Sequence, residues 1–272
     1  GLDPNRPDIV TSAGHADIVQ SPKGDWWAVF LACRPYQDDF YNTGRDTYLL
    51  PVTWKDGWPT ILESGRVVPT VNKKAGLQYE AGLCNTGNFS YVDRFDSPTL
   101  DMRWMYLRNP DLSAYNLGSN GLSIKASDAN IHQVKPITAV FRRQQHNTFT
   151  AETEVIFSPA NDKELAGFAL LQNEQYNFTF GKTKVGGRTA IVLTRAEKNN
   201  VVIGSKFLCE KCADKPVKLR IHGDGRYYDF SYSFDGTTWN IIAQGVDAVN
   251  LSTHQSGGFI GACIGLYATR NK

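Results

Sequence analysis

The sequence has little of what marks several large functional classes. It holds only 2 methionines and 5 cysteines in 272 residues. Five cysteines spread over a chain this long do not make the disulfide framework of a small secreted scaffold. Charge of either sign is not in surplus: 29 Lys and Arg stand against 27 Asp and Glu, a net charge of +2. Neither a nucleic acid nor an anionic membrane is therefore an expected partner. No apolar run reaches membrane-spanning length. No secretory leader is recognisable in Gly1-Leu2-Asp3-Pro4-Asn5-Arg6-Pro7, an extended polar start. Convincing amphipathic helices, low-complexity tracts and internal repeats are lacking as well. So are Gly-x-Ser-x-Gly, His-Glu-x-x-His and phosphate-cradling glycine loops, which removes three common catalytic signatures.

What is present reads as β structure throughout. Aromatic residues make up 12% of the chain, as strand propensity favours. Ile18 and Val19 predict a strand, Pro22-Lys23-Gly24-Asp25 a turn, and residues 26–30 a short apolar strand. Another strand is expected over 46–54, followed by an Asp56-Gly57 turn and Trp58. Short strands joined by glycine-rich turns suit one blade of a β-propeller, over residues 13–62. The blade pattern does not repeat, so a complete propeller is not expected within the chain. Residues 63–90 carry Gly65, Pro69, Gly76, Gly82 and Gly87 with little periodicity, and suggest a crossing between domains.

Beyond residue 91 the period-two pattern returns. Alternation is clear over 121–125, 148–157, 176–180, 217–222 and 227–234, and 164–172 is mostly apolar. Gly186-Gly187 and Asp235-Gly236 mark hairpin turns. Regularly spaced short strands argue for a sandwich or jelly roll. The chain therefore divides into residues 1–68, part of a propeller; 69–90, a linker; and 91–272, a β-sandwich.

Several short motifs carry a family resemblance. Gly14-His15-Ala16-Asp17 with Trp26-Trp27, then Gly44-Arg45-Asp46-Thr47, then Trp54-Lys55-Asp56-Gly57-Trp58-Pro59 resemble the last part of the propeller of glycoside hydrolase family 43. Phe95-Asp96-Ser97-Pro98-Thr99-Leu100-Asp101-Met102-Arg103-Trp104 resembles the opening of the C-terminal sandwich of its β-xylosidases and α-L-arabinofuranosidases. The resemblance covers almost the whole chain. It implies an all-β architecture: the last blade of a five-bladed propeller, then a concanavalin-like jelly roll.

Glycoside hydrolysis needs two carboxyl groups flanking the scissile bond. Family members invert configuration and draw an aspartate base, a pKa-tuning aspartate and a glutamate acid from earlier blades. None of the three matches a residue of this chain, so no catalytic residue is assigned. The resemblance implies instead that the chain is the C-terminal part of an exo-glycosidase releasing xylose or arabinose from hemicellulose oligosaccharides. It would shape the pocket, be inactive alone, and need the missing N-terminal propeller half as partner. A carbohydrate-binding, lectin-like sandwich without catalysis is the alternative, and a purely bracing sandwich a third reading. The compartment stays open, with a secreted or periplasmic setting slightly favoured.

Three pocket residues follow from the matched motifs. His15 corresponds to a histidine at the active-site centre that in some members helps hold a central cation through water. A calcium ion there is the one cofactor the resemblance admits; no protein metal ligand is assigned. The plain alternative is a histidine satisfied by a neighbour such as Asp17, which period-two geometry puts on the same strand face. Arg45 matches an arginine pointing into the sugar pocket, where a permanently charged fork of donors would bind hydroxyls. The alternative is a surface arginine. Asp46 stands where the family usually has Glu. Phe259, in Gly257-Gly258-Phe259-Ile260-Gly261, matches a phenylalanine that closes one side of the pocket. The alternative is a core residue of a final strand.

Other features read as ordinary. For Trp26, Trp27, Trp54 and Trp58, stacking on sugars is one reading, but most are expected in the core. Asp38-Asp39 suits a solvated loop rather than a catalytic pair. Cys209-Glu210-Lys211-Cys212 lacks the second pair a structural zinc needs, and suggests a surface hairpin with two thiols or a local disulfide. Cys33, Cys84 and Cys263 stand alone. Asn88, Asn177 and Asn250 begin glycosylation triplets. Relatives usually run on beyond Gly265-Leu266-Tyr267, so a trimmed or disordered C-terminus is expected.

Overall fold

The computed structural model describes residues 10–69, 71–72 and 87–272. The expected linker over 69–90 lies mostly outside these residues, as does Cys84.

The first sheet holds β1 (Thr11–Gln20), β2 (Trp26–Cys33), β3 (Arg45–Lys55) and β4 (Trp58–Thr60), antiparallel and in chain order. Its turns fall where proline and glycine punctuate the sequence: Gly24 and Gly57 take φ of 89° and 80°, a region open to glycine at no steric cost. One face is covered. Phe30, Ala32, Tyr48 and Leu50 pack with Val10, Ile61, Leu62 and Val68, and Phe30 stacks on Tyr48 at 5.6 Å. The opposite face is open, with Val29 37% and Leu49 44% exposed.

Strand β1 carries two irregularities. Its register against β2 shifts between Thr11 and Gly14 and again between Gly14 and Asp17, with Ser12 and His15 at φ of 55° and 54°. Each is a bulge: three steps on β1 oppose two on β2. Gly14 and Asp17 therefore share a face, and the period-two pairing of His15 with Asp17 expected from sequence does not hold.

The sandwich is built from β5 (Met105–Tyr106), β6 (Tyr115–Gly118), β7 (Gly121–Ile124), β8 (Thr138–Arg143), β9 (Thr148–Val155), β10 (Leu165–Leu171), β11 (Tyr176–Val185), β12 (Arg188–Glu197), β13 (Asn199–Phe207), β14 (Val217–Asp224), β15 (Tyr227–Ser233), β16 (Asn240–Asp247), the single turn α1 (Thr253–Ser256) and β17 (Cys263–Thr269). Seven strands form one sheet in the order β13-β12-β11-β10-β17-β8-β5, and four form the other, β16-β15-β14-β9. Their inner faces bury the main core, including Phe168, Leu170, Phe178, Phe180, Leu219 and Phe230. A smaller core lies on the far side of the larger sheet, where Leu165, Ala169 and Leu171 meet Ile131 and Ile137. Burial on both faces explains why β10 reads as a continuous apolar run rather than an alternating one.

Two strands, β8 and β13, carry no clear period-two pattern. In β13 the register shifts at Ile203, where Leu193 pairs with Gly204 and Thr194 with Val202; that bulge breaks the alternation. Cys209 and Cys212 are joined as a disulfide, on a short 3-10 turn rather than a hairpin. Asn177 and Asn250 are fully buried, so their triplets are no glycan acceptors; Asn88 is exposed. Of the four tryptophans expected mostly in the core, Trp27 is buried, whereas Trp54 and Trp58 are exposed. Trp54 instead packs edge-on against Trp26 at 5.5 Å. Among the described residues, no helix is long and apolar enough to cross a membrane.

Phe230 sits between Phe178 and Phe180 at 5.8 and 5.3 Å. Phe230→Ala is expected to cost about 3–5 kcal/mol of stability through the cavity it leaves. Trp58→Ala, at a 77% exposed position, is expected to change stability by about 0.5 kcal/mol or less. Urea denaturation of the two variants checks the contrast.

Candidate functional site

The connection between β2 and β3 does not make a tight turn. It runs across to the sandwich and buries itself there, with Asn42 fully buried and Thr43 nearly so. A buried amide needs partners, and Asn42 has them on both sides. Its Nδ2 donates to the Tyr228 hydroxyl at 3.1 Å and to the Ala248 carbonyl at 3.3 Å. Its Oδ1 accepts from the Tyr36 hydroxyl at 3.3 Å. The Tyr228 hydroxyl in turn donates to Gln144 Oε1 at 2.8 Å, and Gln144 Nε2 to the His146 carbonyl at 3.1 Å. Backbone bonds run alongside, from Ala262 N to the Asn42 carbonyl at 2.8 Å and from Gln144 N to the Ala262 carbonyl at 3.0 Å. Tyr41 N donates to Ser252 Oγ at 3.1 Å. Tyr228 is pushed up to about 12 by burial, against the opposing pull of its bonds to Asn42 and Gln144.

Two glycines bring the backbones into contact just beyond Asn42. A Cβ on Gly44 would lie 2.3 Å from Gly261 N, and one on Gly261 would lie 2.3 Å from the Thr43 carbonyl oxygen. Gly44 also has φ of 74°. Only glycine satisfies both demands at position 44. The next residue is Arg45, which the contact sets beside the loop 257–262. That loop is itself pinned, since its Ile260 carbonyl accepts from Gln172 Nε2 and Thr253 Oγ1, both at 2.9 Å.

Arg45 and Phe259 therefore meet. The guanidinium carbon lies 4.5 Å from the centre of the Phe259 ring. Phe259 is 73% exposed and lies outside any strand, which overturns its alternative reading as a core residue. Arg45 is exposed, and among the described residues it pairs with no carboxylate. Asp46 is occupied elsewhere: Arg34 donates to it through Nε at 2.7 Å and Nη2 at 3.2 Å, and reaches the Gln145 carbonyl at 3.2 Å. That carboxylate raises the Arg34 guanidinium above its usual value. The guanidinium of Arg45 is thus a set of free donors beside an open aromatic face.

His15 stands apart from this pair. Arg45 is opposite Cys33, and Cys33 opposite Thr11, whereas His15 lies beyond Gly14, which faces Leu31. Strand spacing and rise put the two backbones roughly 14 Å apart. His15 is exposed. Calcium takes about six to eight oxygen ligands. Among the described residues no group of three or more His, Cys, Asp or Glu is placed to hold a metal, so these residues alone do not form the donor set for such an ion. Asp38 and Asp39 are exposed in the connection, as a solvated pair should be.

Asn42 and Gly261, which position the site, were not legible as functional residues. Asn42 looks like an ordinary loop asparagine before Thr43-Gly44. The one available signal was the glycine pair 257–258 followed by Gly261, more glycine than a final strand tolerates.

Residues 92–272 match the family model described as the β-xylosidase C-terminal concanavalin A-like domain. Residues 3–59 match that of glycosyl hydrolases family 43. The chain belongs to glycoside hydrolase family 43. Its first sheet is the last blade of the family's five-bladed propeller, and the two packed sheets are its concanavalin-like jelly roll. It is 30% identical to the non-reducing end α-L-arabinofuranosidase BoGH43B of Bacteroides ovatus, over 98% of this chain and 50% of that protein. It is 28% identical to a putative β-xylosidase of Escherichia coli, over 94% of this chain and 50% of that protein. Among solved structures, a GH43_12 protein from capybara gut metagenome superimposes with a TM-score of 0.82 at 31% identity, covering 97% of this chain and 52% of the other. The family 43 chain thus spans about half the length of the curated relatives it matches.

Gly44→Ala is expected to lower stability by at least about 2 kcal/mol, from overlap and strain together. Gly24→Ala, at φ of 89° with open space around it, carries the strain alone and should cost less in the same urea titration. Tyr228 holds its proton more tightly folded than unfolded, so its contribution is complete below about pH 10, the ordinary tyrosine value. It is lost as pH rises toward about 12. Melting temperature is expected to fall across that window, and Tyr228→Phe to reduce the fall.

Proposed function

We propose that this chain is the C-terminal part of an inverting exo-glycosidase that removes terminal xylose or arabinose from hemicellulose oligosaccharides. The observation that carries this reading is the Arg45–Phe259 contact. A blade residue and a sandwich residue meet with both side chains open to solvent. An aromatic wall beside free guanidinium donors suits a sugar ring, which offers an apolar face and a rim of hydroxyls. In the completed propeller a wall standing across the blade would close the sugar cavity on one side and restrict it to chain ends, which is what exo action requires.

The proton-transferring carboxylates belong, on this reading, to the rest of the propeller, present as a separate chain or as a longer polypeptide. The open face bearing Val29 and Leu49, and the exposed strand β1, are surfaces on which neighbouring blades would pack. His15 on that strand would then face the axis. Its positive φ, held in a bulge, is the kind of local strain found beside active sites.

The purified 272-residue chain is expected to release no sugar from aryl β-xylosides or α-L-arabinofuranosides. Joined to the propeller half it should do so, with proton NMR showing the inverted anomer first. In the joined protein Arg45→Ala is expected to lower kcat/KM by about a hundredfold and Phe259→Ala by about tenfold. Turnover by the 272-residue chain alone, or unchanged kinetics in both variants, would contradict the assignment.

A further inference from the structure

The four-stranded sheet turns one face to the main core and the other outward. Along β14, Val217, Leu219 and Ile221 are buried, while Arg220 and His222 point away from them. Register aligns the outward residues in rows. Glu152, Arg220, Ser231 and Ile241 cross all four strands in one row. Thr150, His222 and Asp229 form the next. With Trp239 and Gln244 they line an open groove of about 540 Å³, a volume typical of small-molecule sites.

The groove is built rather than incidental. Glu152 accepts from Arg220 Nε at 2.8 Å, and the Arg220 guanidinium lies 3.6 Å from the centre of the Trp239 ring. Thr150 Oγ1 and His222 Nδ1 are 3.0 Å apart, and Asp229 accepts from Gly245 N at 2.7 Å. These bonds fix the side chains but do not exhaust them. Among the described residues, the Arg220 Nη groups, His222 Nε2, Ser231 Oγ and the Gln244 amide have no hydrogen-bond partner.

The charge of the groove selects its ligand. Two carboxylates stand beside one guanidinium already paired, which disfavours an anion. The free groups mix donors and acceptors, as hydroxyl-rich ligands demand. The half-buried indole offers an apolar surface at the groove wall. A saccharide combines these properties. The row across four strands spans roughly 14 Å, enough for several linked sugar units.

We infer that this outward groove is a surface binding site for a neutral oligosaccharide chain, distinct from the Arg45–Phe259 contact. The two lie on opposite sides of the sheet: Tyr228 faces inward to Asn42, whereas Asp229 and Ser231 face the groove. The polyol chemistry comes from the groove itself. Only the choice of arabinoxylan as first probe rests on the proposed function.

The test is affinity electrophoresis of the 272-residue chain in native gels containing arabinoxylan, mixed-linkage β-glucan or polygalacturonate. Retardation is expected in a neutral polysaccharide. Trp239→Ala should weaken it roughly tenfold or more, as loss of an aromatic anchor does. Gln244→Ala should weaken it less; Gln244 is exposed and has no partner to lose, so this variant keeps the test valid if Trp239→Ala misfolds. Val134→Ala, at a 78% exposed position away from the groove, should migrate like the parent. Retardation in β-glucan but not arabinoxylan would uphold the groove and count against the proposed substrate. No retardation in either neutral polymer, retardation in polygalacturonate alone, or parental retardation in both the Trp239 and Gln244 variants would overturn the inference.

Discussion

A buried amide organises the junction of blade and sandwich. Asn42 cannot remain inside the protein without its partners, because an unpaired amide there costs several times what a hydrogen bond contributes. Its bonds to Tyr228 and Ala248 therefore tie the β2–β3 connection to the sandwich with directional contacts rather than a merely apolar patch. Apolar packing tolerates sliding; a network of this kind admits one register. The Gly44–Gly261 approach follows from that register, and the Arg45–Phe259 contact follows from the approach.

The same junction separates rigid parts from open ones. The sandwich has two cores, one on each face of the larger sheet, and needs nothing further to bury its strands. The blade has one covered face and one bare one. Arg34 adds a bond from the blade to the Gln145 carbonyl, so the bare face is held at a set orientation to the sandwich. A surface fixed in this way can receive neighbouring blades without reordering, which lowers the entropic cost of completing the cavity.

The fold was largely legible, and the reasons are local. Gly24 and Gly57 mark real turns, and β9, β14 and β15 alternate because one face of their sheet meets a core and the other meets water. Strands β8 and β13 were hidden for opposite causes. The first is buried on both faces over its first four residues and so does not alternate there; the second bends at Ile203 and loses its period. In β1 the bulge at His15 defeated an inference from simple alternation, since an inserted residue moves every later side chain to the other face. Trp54 and Trp58 show a different limit: aromatic character raises strand propensity whether or not the ring is covered.

Sequence by itself determined the class of structure, the turns, most strands, and the family through the order of short motifs. It also named Arg45 and Phe259 one by one. What only the tertiary structure decided was that these two touch, that Asn42 holds them there, that His15 stands apart, and that Arg220, His222 and Trp239 share a groove. The physical reason is one of range. Turns and alternation are written by neighbours in the chain, through φ, ψ and the pleat. Contacts between residues on different segments depend on register and on how the sheets pack, whether the residues are about twenty positions apart, as Arg220 and Trp239 are, or more than two hundred, as Arg45 and Phe259 are, and no local pattern records that.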